Sequence, residues 1–125
     1  MAGVKAAKAQ LRKHALAFEG AYEDHPWGED VAKVNGKVFA FLGVADDTAE
    51  YIVGVKLTRS LLYARSLPHV EPMGYGLGKS GWCNVKRPKG RIDMKLLKDW
   101  IAESYEAVAP ARKRARSAPR RAARR

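Results

Sequence analysis

The sequence predicts an α+β protein of two layers, an antiparallel sheet of about five strands packed with helices in the order α-β-β-β-α-β-β-α. Three observations carry this. Apolar residues recur at helical spacing near both ends, strand signals fill the middle, and Asn35-Gly36 joins two of those strands as a hairpin cue.

The first helix follows from Val4, Ala7, Leu11, Ala15 and Phe18, which recur at three and four, while Lys5, Lys8, Arg12 and Lys13 lie mainly off that stripe. Gly20 ends it. The acidic stretch Glu19, Glu23, Asp24, Glu29 and Asp30, broken by Pro26 and Gly28, reads as a loop. Strand signals follow at residues 31–34, 37–43 and 50–57, an antiparallel meander; in the third, alternation sends Tyr51, Val53, Val55 and Leu57 to one face and Ile52, Gly54 and Lys56 to the other. Thr58 can cap a short helix through Leu61, Leu62 and Arg65 that Pro68 stops. Residues 70–75, weakened by Pro72, suit an edge strand, and residues 81–86 a fifth. Asp93 can cap the last helix, built on Leu97, Ile101, Tyr105 and Val108, supported by the Lys95/Asp99 pair and ended by Pro110.

A chain of 125 residues is one domain by size, with no internal repeat. The single cysteine, Cys83, cannot form an internal disulfide, which suits a cytoplasmic setting. No apolar run reaches the ~20 residues of a membrane span, and the first four residues are too short and mild for a secretory signal. A soluble, cytoplasmic monomer is expected, with association to the nucleoid open to it.

The net charge of +11 is unevenly placed. Arg112, Lys113, Arg114, Arg116, Arg120, Arg121, Arg124 and Arg125 give the last sixteen residues +8 with no acid. The first 109 residues hold 16 basic and 13 acidic groups, only +3. Residues 1–109 are therefore read as the folded domain and residues 110–125 as a disordered basic tail, since Ala, Pro, Ser and Arg offer no apolar face to bury. Eight cations in a short segment suit a polyphosphate partner.

Two loops stand out: Gly20-Ala21-Tyr22-Glu23-Asp24-His25-Pro26-Trp27-Gly28 and Gly74-Tyr75-Gly76-Leu77-Gly78-Lys79-Ser80-Gly81-Trp82. Both place tyrosine and tryptophan among glycines and charges. With Val34-Asn35-Gly36-Lys37-Val38-Phe39-Ala40 and Leu97-Lys98-Asp99-Trp100-Ile101-Ala102-Glu103-Ser104-Tyr105, they make the chain resemble the MmcQ/YjbR family over residues from about 18 to 110. The resemblance implies the same element order, a YjbR-like fold compared with secretion chaperones, and a role as a candidate DNA-binding protein with a double-wing shape. It also implies structural roles for its motif residues Tyr22, Asp24, Pro26, Trp27, Gly36, Tyr75, Gly81, Trp100 and Tyr105.

Gly78-Lys79-Ser80 invites a nucleotide-binding reading, which fails on spacing. A P-loop needs glycine where Met73 stands and a helix afterwards, whereas residues 82–86 read as strand. In that strand Trp82, Asn84 and Lys86 share one face, Cys83 and Val85 the other. Trp82 is then either an exposed indole that stacks on a base or a side chain packed under the last helix against Trp100 or Tyr105; the usual burial of large aromatics favours the second. Lys86-Arg87-Pro88-Lys89-Gly90-Arg91 places four cations in a six-residue connection without an acid, a wing that could follow a phosphate backbone, with Lys79 nearby in sequence.

Glu23, Asp24 and His25 suggest acid-base or metal chemistry, yet His14 and His69 are isolated and no cysteine stands at ligand spacing. The family pattern more often has phenylalanine at His25. The expectation is structural, with Tyr22 and Trp27 plugging the core and Asp24 capping backbone amides. Cys83 has no identifiable base beside it, and no metal, cofactor or catalytic set is expected. Nucleic acid is the expected partner, with DNA preferred on the family's account, phosphate contacts from Lys79, Lys86, Arg87, Lys89, Arg91 and the tail, and stacking from Trp82 if its indole is exposed. Two other classes compete: a protein-binding adaptor that uses the open sheet face, and a small-ligand enzyme that would need one pocket joining Tyr22, Asp24, Trp27 and Lys79.

Overall fold

The computed structural model describes residues 3–26, 28–43 and 49–110. In chain order these form α1 (Val4–Leu16), β1 (Ala21–Asp24), β2 (Asp30–Val34), β3 (Lys37–Gly43), β4 (Tyr51–Lys56), α2 (Leu61–Arg65), β5 (Val70–Pro72), a 3₁₀ turn (Leu77–Ser80), β6 (Trp82–Lys86) and α3 (Met94–Val108). The strands make one antiparallel sheet in the order β1-β2-β3-β4-β6-β5, so β6 inserts between β4 and β5. Helices α1 and α3 pack on each other and on the sheet. The protein is a two-layer α+β fold, as the sequence predicts.

The described sheet has six strands rather than about five, because the acidic stretch contains β1. Its residues show no apolar alternation to read. Pairing with β2 places Tyr22 opposite Lys33 and Asp24 opposite Val31, and ion pairs complete the edge: Arg12 of α1 holds Glu23 at 2.5 and 2.7 Å, and Lys33 donates to Asp24 at 2.9 Å. Strand formation here is a tertiary event.

Two of the three irregularities in pairing set the core. Ala32 pairs with Ala40 and Lys33 with Val38, which leaves Phe39 as an extra residue; likewise Tyr51 and Val53 pair with Lys86 and Val85, which leaves Ile52 over. Consecutive residues Phe39 and Ala40, and Ile52 and Val53, are therefore all buried. Simple alternation, which puts Ile52 on the opposite face from Val53, is corrected by the bulge. The Tyr105 ring stacks on Phe18 with centroids 4.6 Å apart and meets Phe39 edge-on at 5.3 Å, while its hydroxyl donates to the Glu19 carbonyl at 2.7 Å.

Lys8 departs from its predicted place off the stripe. Positions 4, 8, 11 and 15 lie on one helical face, so Lys8 is buried with Val4, Leu11 and Ala15, and its ammonium donates to the carbonyls of Leu42 and Ile52 at 2.5 and 2.9 Å. Burial pushes its pKa down to about 8, against the pull of Asp30 and Glu29. Glu103 is a second buried charge. It accepts from the Thr58 and Ser60 amides at 2.7 and 3.0 Å and from the Ser60 hydroxyl at 2.7 Å. Burial alone would raise its carboxyl; these hydrogen bonds and Arg59 outweigh that and hold it below the usual range. Helix α2 consequently begins after Ser60, not Thr58, because a carboxylate from α3 receives the amides that a local cap would.

Candidate nucleic-acid interface

The loop joining β6 to α3 is anchored at both ends. The Arg87 amide donates to the Glu50 carbonyl at 2.9 Å, and the Asp93 carboxylate accepts from the Leu96 amide at 3.1 Å. Between them Arg87, Lys89 and Arg91 are exposed. Among the described residues, Lys89 and Arg91 have no carboxylate partner. Lys86 differs. Its ammonium stands 3.7 Å from Glu50 and 3.8 Å from Glu71, and Glu71 also accepts from the Tyr51 hydroxyl at 2.9 Å. Two acids share that cation, so the wing's charge without a carboxylate partner rests on Lys89 and Arg91.

Lys79 is exposed but does not join this loop. It precedes β6 and the basic loop follows it, and five residues at ~3.3 Å each separate them by more than about 13 Å. Its cationic neighbour is Arg65 of α2, which donates to the Gly78 carbonyl at 2.5 Å. Arg65 and Lys79 line an open cleft of about 390 Å³ with Pro72, Met73, Gly76 and Gly78. Sequence reasoning missed Arg65 because thirteen residues lie between it and Lys79 along the chain. The tail cations 112–125 lie outside the described residues, but Pro110 ends α3, about 22 Å along the helix axis from the basic loop that precedes it.

Trp82 is neither a free stacking surface nor packed under α3. It is 8 % exposed, and its ring meets Phe41 edge-on at 5.3 Å. Asn84, its neighbour on that face, pairs with Gly54, and Met73 lies over Gly54. The sheet face away from the helices thus has its own small apolar cluster, which sequence alternation could not foresee.

The first loop is knit together by ions. Asp24 accepts the His25 amide at 2.8 Å besides its bond to Lys33, and Lys33 and that amide hold its carboxyl below the usual range. Tyr22 does not plug the core: β1 is an edge strand and the ring is 44 % exposed. Pro26 is exposed in the turn, and Trp27 lies outside the described residues. His25 is less isolated than the sequence implies. Its Nδ1 lies 2.7 Å from Asp30, and ligand atoms of Glu23, His25 and Asp30 fall within 4.8 Å of one another. Arg12 already occupies both Glu23 oxygens, and its hydrogen bonds hold that carboxyl low, so the cluster is built as an ion-pair clasp of β1 to α1 and β2.

Of the remaining motif residues, Tyr75 does not take the structural role implied for it, since it is fully exposed at a turn tip; the others serve the fold. Asn35 and Gly36 have φ of 53° and 81°, the left-handed pair of a tight hairpin. Trp100 and Tyr105 are buried in α3. Gly81, at φ 99°, touches the backbone just past β4: an added Cβ would lie 2.4 Å from the Leu57 carbonyl oxygen. Cys83 is buried and burial pushes its thiol up, the opposite of an activated nucleophile. Tyr22 and Asp24 sit on β1 and Lys79 beside β6, four strand spacings or ~19 Å apart, so no single pocket joins them.

These features define a small α+β protein with one open antiparallel sheet, whose loop cations are divided between the two ends of β6. Its sequence matches the YjbR family over residues 16–107, from the last residue of α1 to the last turn of α3, and the chain belongs to that family. No curated protein matches it at a significant level. Among the described residues no helix is long and apolar enough to cross a membrane.

Proposed function

We propose that this chain is a non-catalytic nucleic-acid-binding protein, with DNA its expected ligand, in which the basic loop 87–91 orients the domain on phosphates and the arginine-rich segment 111–125 supplies most of the affinity. One observation carries the reading: eight of the eleven net positive charges lie in the last sixteen residues, with no acid among them. Such a segment neutralises phosphates with little regard to base sequence. Membership of the YjbR family is consistent with this, and the exposed Lys89 and Arg91 add to it from the folded body.

The competing reading is an adaptor that binds protein on the uncovered sheet face. Phe41 and Trp82 on that face pack on each other and Met73 covers Gly54, so part of its apolar surface is already engaged, and no comparable excess of charge or apolar surface marks it. Charge therefore outweighs it.

Titrating a labelled duplex with the full chain and with a chain lacking residues 111–125, over a series of salt concentrations, tests the proposal. If about five tail cations meet phosphate, affinity of the full chain falls as roughly the fourth to fifth power of salt, and truncation removes most of that slope. A full chain that ignores duplex and single strand alike in dilute buffer ends the proposal.

A further inference from the structure

We propose that the turn Gly74-Tyr75-Gly76, with Arg65 and Lys79, is a site for unpaired nucleotides: Tyr75 stacks on a base and the two cations hold the adjoining phosphates. The inference rests on the nucleic-acid reading above and assigns to it a place and a preference that the tail cannot provide.

The backbone points to it first. Tyr75 has φ 59° and Gly76 φ 78°, and the Leu77 amide donates to the Gly74 carbonyl at 3.1 Å, so the tip is a tight turn with two left-handed residues in succession. Glycine, asparagine or aspartate normally fills the first of these positions, because a bulky side chain is strained there. Packing does not offset the strain. Tyr75 is 105 % exposed and makes no hydrogen bond or ring contact among the described residues. A strained aromatic held wholly in solvent is a feature of binding sites, not of cores.

The surroundings identify the ligand. Gly76, next to Tyr75, lines the open cleft with Arg65 and Lys79, and the charged groups lining it are both cations. Arg65 is seated by its bond to the Gly78 carbonyl, and the base of the loop is clamped by Gly78 and Gly81: the Gly78 amide donates to Met73 at 3.0 Å and the Leu57 amide to Gly81 at 2.9 Å. The tip is therefore a projecting ring on a rigid base beside two positive charges. That combination fits a phosphate chain with accessible base faces. Bases inside a duplex present their edges, not their faces, so a single projecting ring stacks only on an unpaired base. A peptide ligand would want acidic side chains to meet two cations with no carboxylate among the lining residues, and it would leave the projecting ring without a flat face to stack on.

The test compares the full chain with Tyr75→Ala, Tyr75→Gly and Lys79→Ala on labelled oligo(dT) and on a duplex of matched phosphate number, by fluorescence anisotropy. Tyr75→Ala and Tyr75→Gly are expected to weaken oligo(dT) binding about 5- to 150-fold and leave duplex binding unchanged. Lys79→Ala should lower the single-strand salt slope by about 0.7. Tyr75→Gly also removes the backbone strain, and melting temperatures no lower than the parent's show that the fold is intact. If the tyrosine variants bind oligo(dT) as the parent does while both oligonucleotides are held, the site is overturned, the tip is left to a protein ligand, and the phosphate-binding function stands. Equal losses on duplex and single strand overturn the preference for unpaired bases. A parent chain that binds neither overturns both readings together.

Discussion

The two aromatic, glycine-flanked loops look alike in sequence and end as opposites. In the first, Ala21–Asp24 joins the sheet and Glu23, Asp24, His25 and Asp30 are all engaged with Arg12, Lys33 or one another. In the second, the strand ends at Pro72, the backbone turns through two left-handed residues, and Tyr75 stands in solvent. The first loop is fastened by charge on flexible side chains. The second is fastened by backbone contact at its base, which leaves its tip unencumbered. Exposed ion pairs are individually weak, whereas a backbone overlap has no way to relax.

That difference orders the expected effects of substitution. Gly81→Ala should be the most damaging, because its Cβ would lie 2.4 Å from the Leu57 carbonyl oxygen at a φ of 99° that alanine avoids. A loss of about 3 to 5 kcal/mol is expected in urea unfolding, against less than ~1 kcal/mol for Gly74→Ala, whose Cβ would meet nothing within 4 Å. Equal losses at the two positions would refute a clamped base with a free tip.

Next in size is a pH effect at Lys8, whose ammonium feels Asp30 and Glu29 of the first loop. Its folded pKa of about 8 lies below the ordinary 10.5, so between those values the unfolded chain binds more protons and stability rises with pH; below about 8 both states are charged and the contribution is flat. Relative to Lys8→Met, the parent should gain about 2 to 3 kcal/mol from pH 7 to pH 10. Cys83 and Tyr51 also titrate toward the upper end, but both chains share them. A constant gap between the two chains would show that Lys8 is solvated in the folded state.

The smallest effect belongs to the ion-pair clasp. Arg12 is half exposed, so Arg12→Ala should cost about 0.5 to 1 kcal/mol despite two short hydrogen bonds. Amide exchange should quicken in β1 and not at the amides of Gly78 or Gly81. A global loss above ~2 kcal/mol would make the first loop as integral as the base of the second.

Much of this protein was legible from local signals. Periodicity located α1 and α3, Asn35-Gly36 located the hairpin, and Pro72 marked an edge strand. Each depends on neighbours within a few residues, which a sequence displays directly. Strand β1 was hidden because it is held by Arg12 and Lys33, and Lys8 looked solvated because only the carbonyls of Leu42 and Ile52 make its burial tolerable. Insertion of β6 between β4 and β5 decided the rest. It sent Lys79 toward Arg65 and away from Arg87, buried Trp82 against Phe41, and left Tyr75 alone in water. Those outcomes turn on which distant segments become sheet neighbours, and the contact energy that chooses them is spread over the whole core, so no window of the chain contains it.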